Sequence, residues 1–200
     1  MPAQERVAHA CSRLSNLTGN INAHRDRLAA LMSIYIALLR AVNVGGTGKL
    51  SMSELRTMCE ALGFTHVRTY IASGNVVFES RLAEASVKKK LEQRLDAYAG
   101  KPVGVQVRSA DELAAVLEGN PFRAAAPDRT VAIFLDAPPP ADVLDGVSGQ
   151  QTETIASGVR EIYVHYQNAI GRSKLKIPAA KDGTARNMNT VAKLLEMARE

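Results

Sequence analysis

Residues 67–79 read Val67-Arg68-Thr69-Tyr70-Ile71-Ala72-Ser73-Gly74-Asn75-Val76-Val77-Phe78-Glu79. Two β-prone runs, 67–72 and 75–79, flank Ser73-Gly74, and the Gly74-Asn75 step suits a tight hairpin turn. Upstream, residues 33–41 are mainly apolar and β-prone, the pattern of a central strand. Ser51 and Glu54 have capping-box spacing, so a helix starts there and runs to about Leu62. Leu55, Met58, Cys59 and Leu62 form its inner face, and Gly63 sits where a left-handed cap belongs. Downstream, residues 83–99 predict a second helix, with Val87, Leu91, Leu95 and Tyr98 inward and Lys88, Lys89 and Lys90 mostly outward. A strand over 103–108 completes the order β-α-β-β-α-β, the split βαβ pattern of ferredoxin-like folds.

The second half is similar but less regular. Ser109 caps a short helix over Asp111–Leu117, and Asn120-Pro121-Phe122 breaks it. Val131–Leu135 reads as a strand. Pro138-Pro139-Pro140 opens a turn leading to one helical turn at Val143-Leu144. Thr152–Ala156 and Glu161–Tyr166 read as a strand pair, and 169–187 as a basic loop with room for a short helix. Thr190–Arg199 is a closing helix with Val191, Leu194, Leu195 and Ala198 on its apolar stripe. No linker separates the halves, so they are expected to share an interface.

The chain has 200 residues, 46% of them hydrophobic and 22% charged, which excludes a disordered protein. No stretch approaches the ~20 apolar residues of a membrane span. Two cysteines, Cys11 and Cys59, make neither a disulfide framework nor a metal knuckle, which points to the cytoplasm. Residues 1–31 carry Arg6, Arg13, Arg25 and Arg27 against Glu5 and Asp26. Polar residues interrupt every candidate signal-peptide core. An amphipathic helix over Arg25–Met32 fits this segment, as either a misassigned start ahead of Met32 or a genuine extension.

The net charge is +5. Five cations, Arg172, Lys174, Lys176, Lys181 and Arg186, stand between residues 171 and 186 against the single acid Asp182. The charge is therefore local, and an anionic partner is expected there. Asn187 or Asn189 caps the last helix beside it. The loop Gly45-Gly46-Thr47-Gly48-Lys49 looks like a phosphate cradle. A Walker A motif needs glycine where Asn43 stands and Ser or Thr where Leu50 stands, so an NTPase is rejected. Two readings stay open for the loop: convergent N–H groups ahead of a helix N-terminus, or simply a tight turn. His165 reads as a half-buried, hydrogen-bonded strand residue. The acids show no metal spacing, and no GxSxG elbow occurs. An RNA-recognition sheet wants an aromatic ladder, and Val76-Val77-Phe78 offers one ring.

Five stretches resemble one family. Tyr35-Ile36-Ala37-Leu38-Leu39-Arg40-Ala41-Val42-Asn43-Val44-Gly45-Gly46 looks like its opening signature, and Thr69–Phe78 like its second. Asn120-Pro121-Phe122, Gly171-Arg172-Ser173-Lys174-Leu175 and Arg186-Asn187-Met188-Asn189-Thr190 follow in order. On these motifs the chain is similar to the bacterial domain of unknown function family 1697, over about residues 33–198. Ala41 and Ala169 stand where that family commonly has Gly, and Met188 where it commonly has Trp. The resemblance implies an α+β fold of two ferredoxin-like subdomains sharing an interface. It implies no established activity.

We expect an N-terminal extension (1–31), a first ferredoxin-like subdomain (32–110) and a second α+β subdomain (111–200). The expected function is binding of an anionic, phosphate-bearing small molecule or nucleotide. Arg40, Lys49, Arg172, Lys174 and Arg186 supply charge; Asn43, Ser73, Asn75, Ser173 and Asn187 supply directed hydrogen bonds; Gly45 and Gly46 let the backbone approach. Arg40, Arg172 and Arg186 should then converge on one cleft. No metal or cofactor is expected, and no base is seen to activate Ser173. The alternatives are a non-catalytic interaction module, monomeric or homodimeric through an exposed sheet edge or the N-terminal extension, and an RNA- or DNA-binding protein using the same cations.

Overall fold

The computed structural model describes residues 32–43 and 50–200. The expectations for 1–31, including Cys11, and for the loop residues Gly45, Gly46 and Lys49 lie outside the described residues. The fold is α+β, and Ile34–Glu200 forms one unit.

The first sheet is built from β1 (Ser33–Leu39), β2 (Thr65–Tyr70), β3 (Asn75–Ser80) and β4 (Val105–Ser109), in the order β2-β3-β1-β4. Helix α1 (Met52–Ala61) starts at the capping box: Ser51 Oγ accepts from Glu54 N, and Glu54 Oε2 accepts from Ser51 N, both at 3.1 Å. Helix α2 (Glu84–Ala99) ends at Gly100, whose φ is +66°. The apolar run of β1 has a clear cause. Tyr35, Ala37 and Leu39 pack with Leu55, Met58, Cys59, Val87, Leu91 and Leu95 on one face. Ile36 and Leu38 point the other way, into a second core with Leu113, Val116, Phe134, Tyr163, Val191 and Leu194. A strand covered on both faces reads as continuous hydrophobic sequence. Cys59 is free and buried, and burial pushes its thiol up to about 12, so it behaves as a small hydrophobe.

The second core is closed by α3 (Ala110–Glu118), the second sheet and α4 (Met188–Arg199). That sheet holds β5 (Thr130–Phe134), β6 (Thr154–Ser157), β7 (Glu161–His165) and β8 (Thr184–Asn187), ordered β6-β7-β5-β8. Its strand order repeats that of the first sheet, with β5 antiparallel to both β7 and β8, but it departs from the split βαβ pattern in its connections: β5–β6 and β7–β8 hold turns and two 3₁₀ turns instead of α-helices. β8 lies inside the stretch expected to be a basic loop. The Val143-Leu144 segment is a turn closed by Val143 N on Pro140 O at 3.0 Å, not a helical turn. Tyr98 is 40% exposed instead of inward. Thr130 Oγ1 lies 3.3 Å from His165 Nδ1, so that histidine is half-buried and hydrogen-bonded as expected.

A polar joint ties the first sheet to the second. Arg108 on β4 is 1% exposed, donating to Val107 O at 2.7 Å, Leu135 O at 2.6 Å and Arg160 O at 2.8 Å. Beside it Arg160 bridges Glu84 at 2.6 Å and Glu112 at 2.8 Å. Burial acts to raise the Glu112 carboxyl, but the Ser109 N–H and the two guanidinium charges outweigh it and hold the group below its ordinary value. A carboxyl depressed in the folded state stabilises above its unfolded pKa, and that contribution is lost as pH falls through the folded value. The melting temperature should therefore drop between about pH 5 and pH 3. Glu112→Gln should start lower and fall less steeply; a parallel fall would mean Glu112 is not one of the titrating groups.

Candidate functional site

The expected site residues separate into two places. The first is the end of β1 beside the β2–β3 turn. Asn75 is not a turn residue: it opens β3 and is fully buried, while Ile71, Ala72, Ser73 and Gly74 make the turn. Its partner is Arg186 on β8, itself 8% exposed. Arg186 Nε donates to Asn75 Oδ1. Nη1 donates to Thr184 Oγ1 at 2.9 Å and Ala185 O at 2.8 Å, and Nη2 to Leu39 O at 2.9 Å and Ser73 O at 3.0 Å. A guanidinium has five N–H donors, and these bonds engage all of them. Asn75 Nδ2 in turn donates to Tyr70 O at 2.9 Å and Ser73 Oγ at 3.0 Å. No carboxylate takes part. Burial draws the Arg186 guanidinium down to about 10, so it stays charged at neutral pH, surrounded by carbonyl dipoles.

Neighbouring groups are also engaged by the protein. Arg40 donates to Asp182 Oδ1 at 3.1 Å and Lys181 O at 2.6 Å, tying β1 to the basic segment. Asn43 Nδ2 donates to Leu50 O at 2.9 Å and Ala72 O at 2.8 Å, which holds the ends of the glycine loop against the turn. Ala41, Asn43 and Ile71 all have positive φ, between +48° and +58°. Left-handed backbone costs an L-residue about 1–2 kcal/mol, and for a β-branched Ile71 it is an outlier. This end of the sheet therefore holds strain, kept in place by the hydrogen bonds just described.

The second place is a cleft of about 370 Å³ between the segment before β6 and the 3₁₀ turn Ile170–Arg172. Gln151, Thr152 and Glu153 form one wall, and Asn168, Ala169, Arg172 and Ser173 the other, with half-buried Tyr166 between. Glu153 stitches the walls together. One carboxylate oxygen accepts from Ser173 Oγ, and the other accepts from Gln151 N at 2.7 Å and Thr152 N at 3.1 Å. Asn168 Nδ2 adds a bond to Thr152 Oγ1 at 3.2 Å. The Ser173 hydroxyl, and after it the backbone N–H donors, hold the Glu153 carboxyl below the usual range. Burial, and then the Glu153 charge, raise the Tyr166 phenol, so it remains a neutral donor.

A carboxylate does reach Ser173, which sequence reading did not anticipate. Held ionised, it is a poor base, and Ser173 Oγ also accepts from Leu175 N at 3.1 Å. The pair fixes a loop. Arg172 lines the cleft, and among the described residues its guanidinium makes no hydrogen bond or ion pair. Lys174 is exposed and outside the cleft lining. Asn187 caps α4, accepting from Thr190 N at 2.9 Å.

The three arginines thus do not meet in one cleft: Arg186 is buried in the joint, Arg40 pairs with Asp182, and Arg172 alone lines the cavity. Among the described residues no group of three His, Cys, Asp or Glu side chains is placed to hold a metal, and no helix is long and apolar enough to cross a membrane. Sequence reading missed Thr152, Glu153, Tyr166 and Asn168. Its one available signal was the polar Tyr166-Gln167-Asn168 run following a strand and leading into Gly171-Arg172-Ser173.

A family model described as "Protein of unknown function (DUF1697)" matches residues 32–163, so the Arg172 loop lies beyond the matched stretch. Among solved structures, a conserved bacterial protein from Streptococcus pneumoniae is similar. It is 27% identical with a TM-score of 0.70, over 84% of this chain and 99% of that one. A comparison with curated proteins finds no match.

Proposed function

We propose that this chain, which belongs to the family described as Protein of unknown function (DUF1697), binds a small phosphate-bearing anion in the cleft around Arg172. One observation carries the reading: Arg172, whose guanidinium makes no hydrogen bond or ion pair among the described residues, lines a polar cavity of about 370 Å³. That size is within the usual ~300–1,000 Å³ range of small-molecule pockets. Arg172 supplies a fork suited to phosphate or carboxylate oxygens, and Thr152, Asn168 and Gln151 supply neutral donors around it. A cytoplasmic location belongs to the same proposal and is supported by Cys59 standing free. So does a ferredoxin-like reading of residues 32–110, supported by the β2-β3-β1-β4 order with α1 and α2 between the strands. Residues 111–200 are then the second subdomain, supported by β5–β8 all falling within them.

The test is a thermal-shift screen with inorganic phosphate, pyrophosphate and phosphorylated metabolites. A ligand at 100 times its Kd should stabilise the protein by about 2.7 kcal/mol, a shift of several degrees. Arg172→Ala should abolish the shift while leaving the unliganded melting temperature within about a degree, since the exposed side chain makes no hydrogen bond or ion pair among the described residues. Stabilisation that survives the substitution would place the ligand elsewhere.

A further inference from the structure

The second sheet ends at β6, and the hydrogen-bond parity of that strand identifies which backbone groups face outward. Gly158 N donates to Glu161 O at 2.8 Å. The same register pairs Ala156 with Tyr163 and Thr154 with His165, so by antiparallel alternation these are the hydrogen-bonded pairs. Ile155 and Ser157 are then the non-bonded positions, with their N–H and C=O directed away from β7. Among the described residues no hydrogen bond reaches them from that side.

Sheet edges in monomeric proteins are ordinarily blunted by charge, proline or a bulge. β2, one edge of the first sheet, follows this rule. Its register shifts between Thr65 and Arg68, His66 has φ +51°, and Arg68 turns its guanidinium to Met197 O and Glu200. β6 has none of these devices. Thr154-Ile155-Ala156-Ser157 is uncharged, lacks proline and stays in register throughout. Beside it Val159 is 75% exposed, the highest among the exposed large hydrophobic residues that are described.

We propose that β6 pairs antiparallel with β6 of a second copy of this chain, joining the two second sheets across a twofold axis. Parity restricts the register. Bonding every outward group within the four residues requires Ile155 opposite Ser157 of the other copy, and the reverse, giving four ladder bonds. Ala156 then faces its own copy on the axis, in a non-bonded pair where the Cα atoms approach to about 4.5 Å and a small side chain fits. With no charge on the strand, like copies do not repel. A four-residue strand covers less than the ~800 Å² per partner of a stable complex, so the dimer forms only at high concentration.

Sedimentation equilibrium from about 10 μM to 1 mM should show the average mass rising from 21.5 kDa toward twice that value. Ser157→Lys, at an exposed edge position, should weaken association at least tenfold with an unchanged thermal melt. Ala156→Cys should form a disulfide-linked dimer on mild oxidation well above the wild-type background, because the on-axis spacing suits a bridge. A mass constant at 21.5 kDa, a dimer indifferent to Ser157→Lys, or an Ala156→Cys variant that crosslinks no more than wild type would each overturn the proposal.

Discussion

Arg186→Met is expected to lower the free energy of unfolding by about 3–5 kcal/mol, measured by urea denaturation at neutral pH. The substitution fills much of the volume but removes all five donors. Asn75 Oδ1 then lies buried without a partner, Ser73 O loses its side-chain donor, and Leu39 O keeps only the Thr184 hydroxyl at 3.3 Å. Each such group costs about 1–3 kcal/mol, partly offset because the guanidinium no longer needs to be desolvated. Arg186→Lys should lose nearly as much, since a single ammonium cannot reach partners on β1, the turn and β8 together. If charge alone mattered, lysine would restore most of the stability, and the joint would not rest on directed bonds. A loss under about 1 kcal/mol for methionine would lead to the same conclusion.

Gly74→Ala carries the second large effect, about 2–4 kcal/mol. Gly74 has φ +79°, and an added Cβ would meet Val42 Cγ2 at 2.5 Å and Leu39 Cβ at 2.9 Å. Two terms combine: left-handed strain of about 1–2 kcal/mol and overpacking of about 1–3 kcal/mol. They can be separated. Gly63 has φ +83°, and a Cβ added there would meet nothing within 4 Å, so Gly63→Ala isolates the strain term at about 1 kcal/mol. Adding Val42→Ala to Gly74→Ala removes the nearest clash and should return part of the difference. Equal losses at Gly63 and Gly74 would show that the turn is looser than its contacts imply.

How much was readable before the structure depends on the range of the interaction. The capping box at Ser51 and the cap at Ser109 were legible because their partners lie within three residues. The β1 run was legible because two-sided burial leaves no polar position. β8 was not. Thr184–Asn187 is four residues among cations, made a strand by β5 and by Arg186 reaching to Leu39. Asn75 misled for the same reason. Gly-Asn is sound local turn chemistry, yet its side chain is claimed by an arginine 111 positions away. The arginines show the limit of charge counting. Arg40, Arg172 and Arg186 look alike in sequence, and only topology decides which is paired, which is buried and which is left to face a cavity. Glu153 gave no short-range signal, because it joins Tyr166 and Ser173 only through the fold.

β1 belongs to two cores at once, and this bears on how such a protein can change over evolutionary time. A fragment ending near residue 110 would present Ile36, Leu38 and Val77 to water, and a fragment beginning there would lack the wall against which Phe134 and Tyr163 pack. Neither half can be shuffled into another gene or lost from this one without leaving a bare hydrophobic face. The two sheets therefore stand or fall as one indivisible piece.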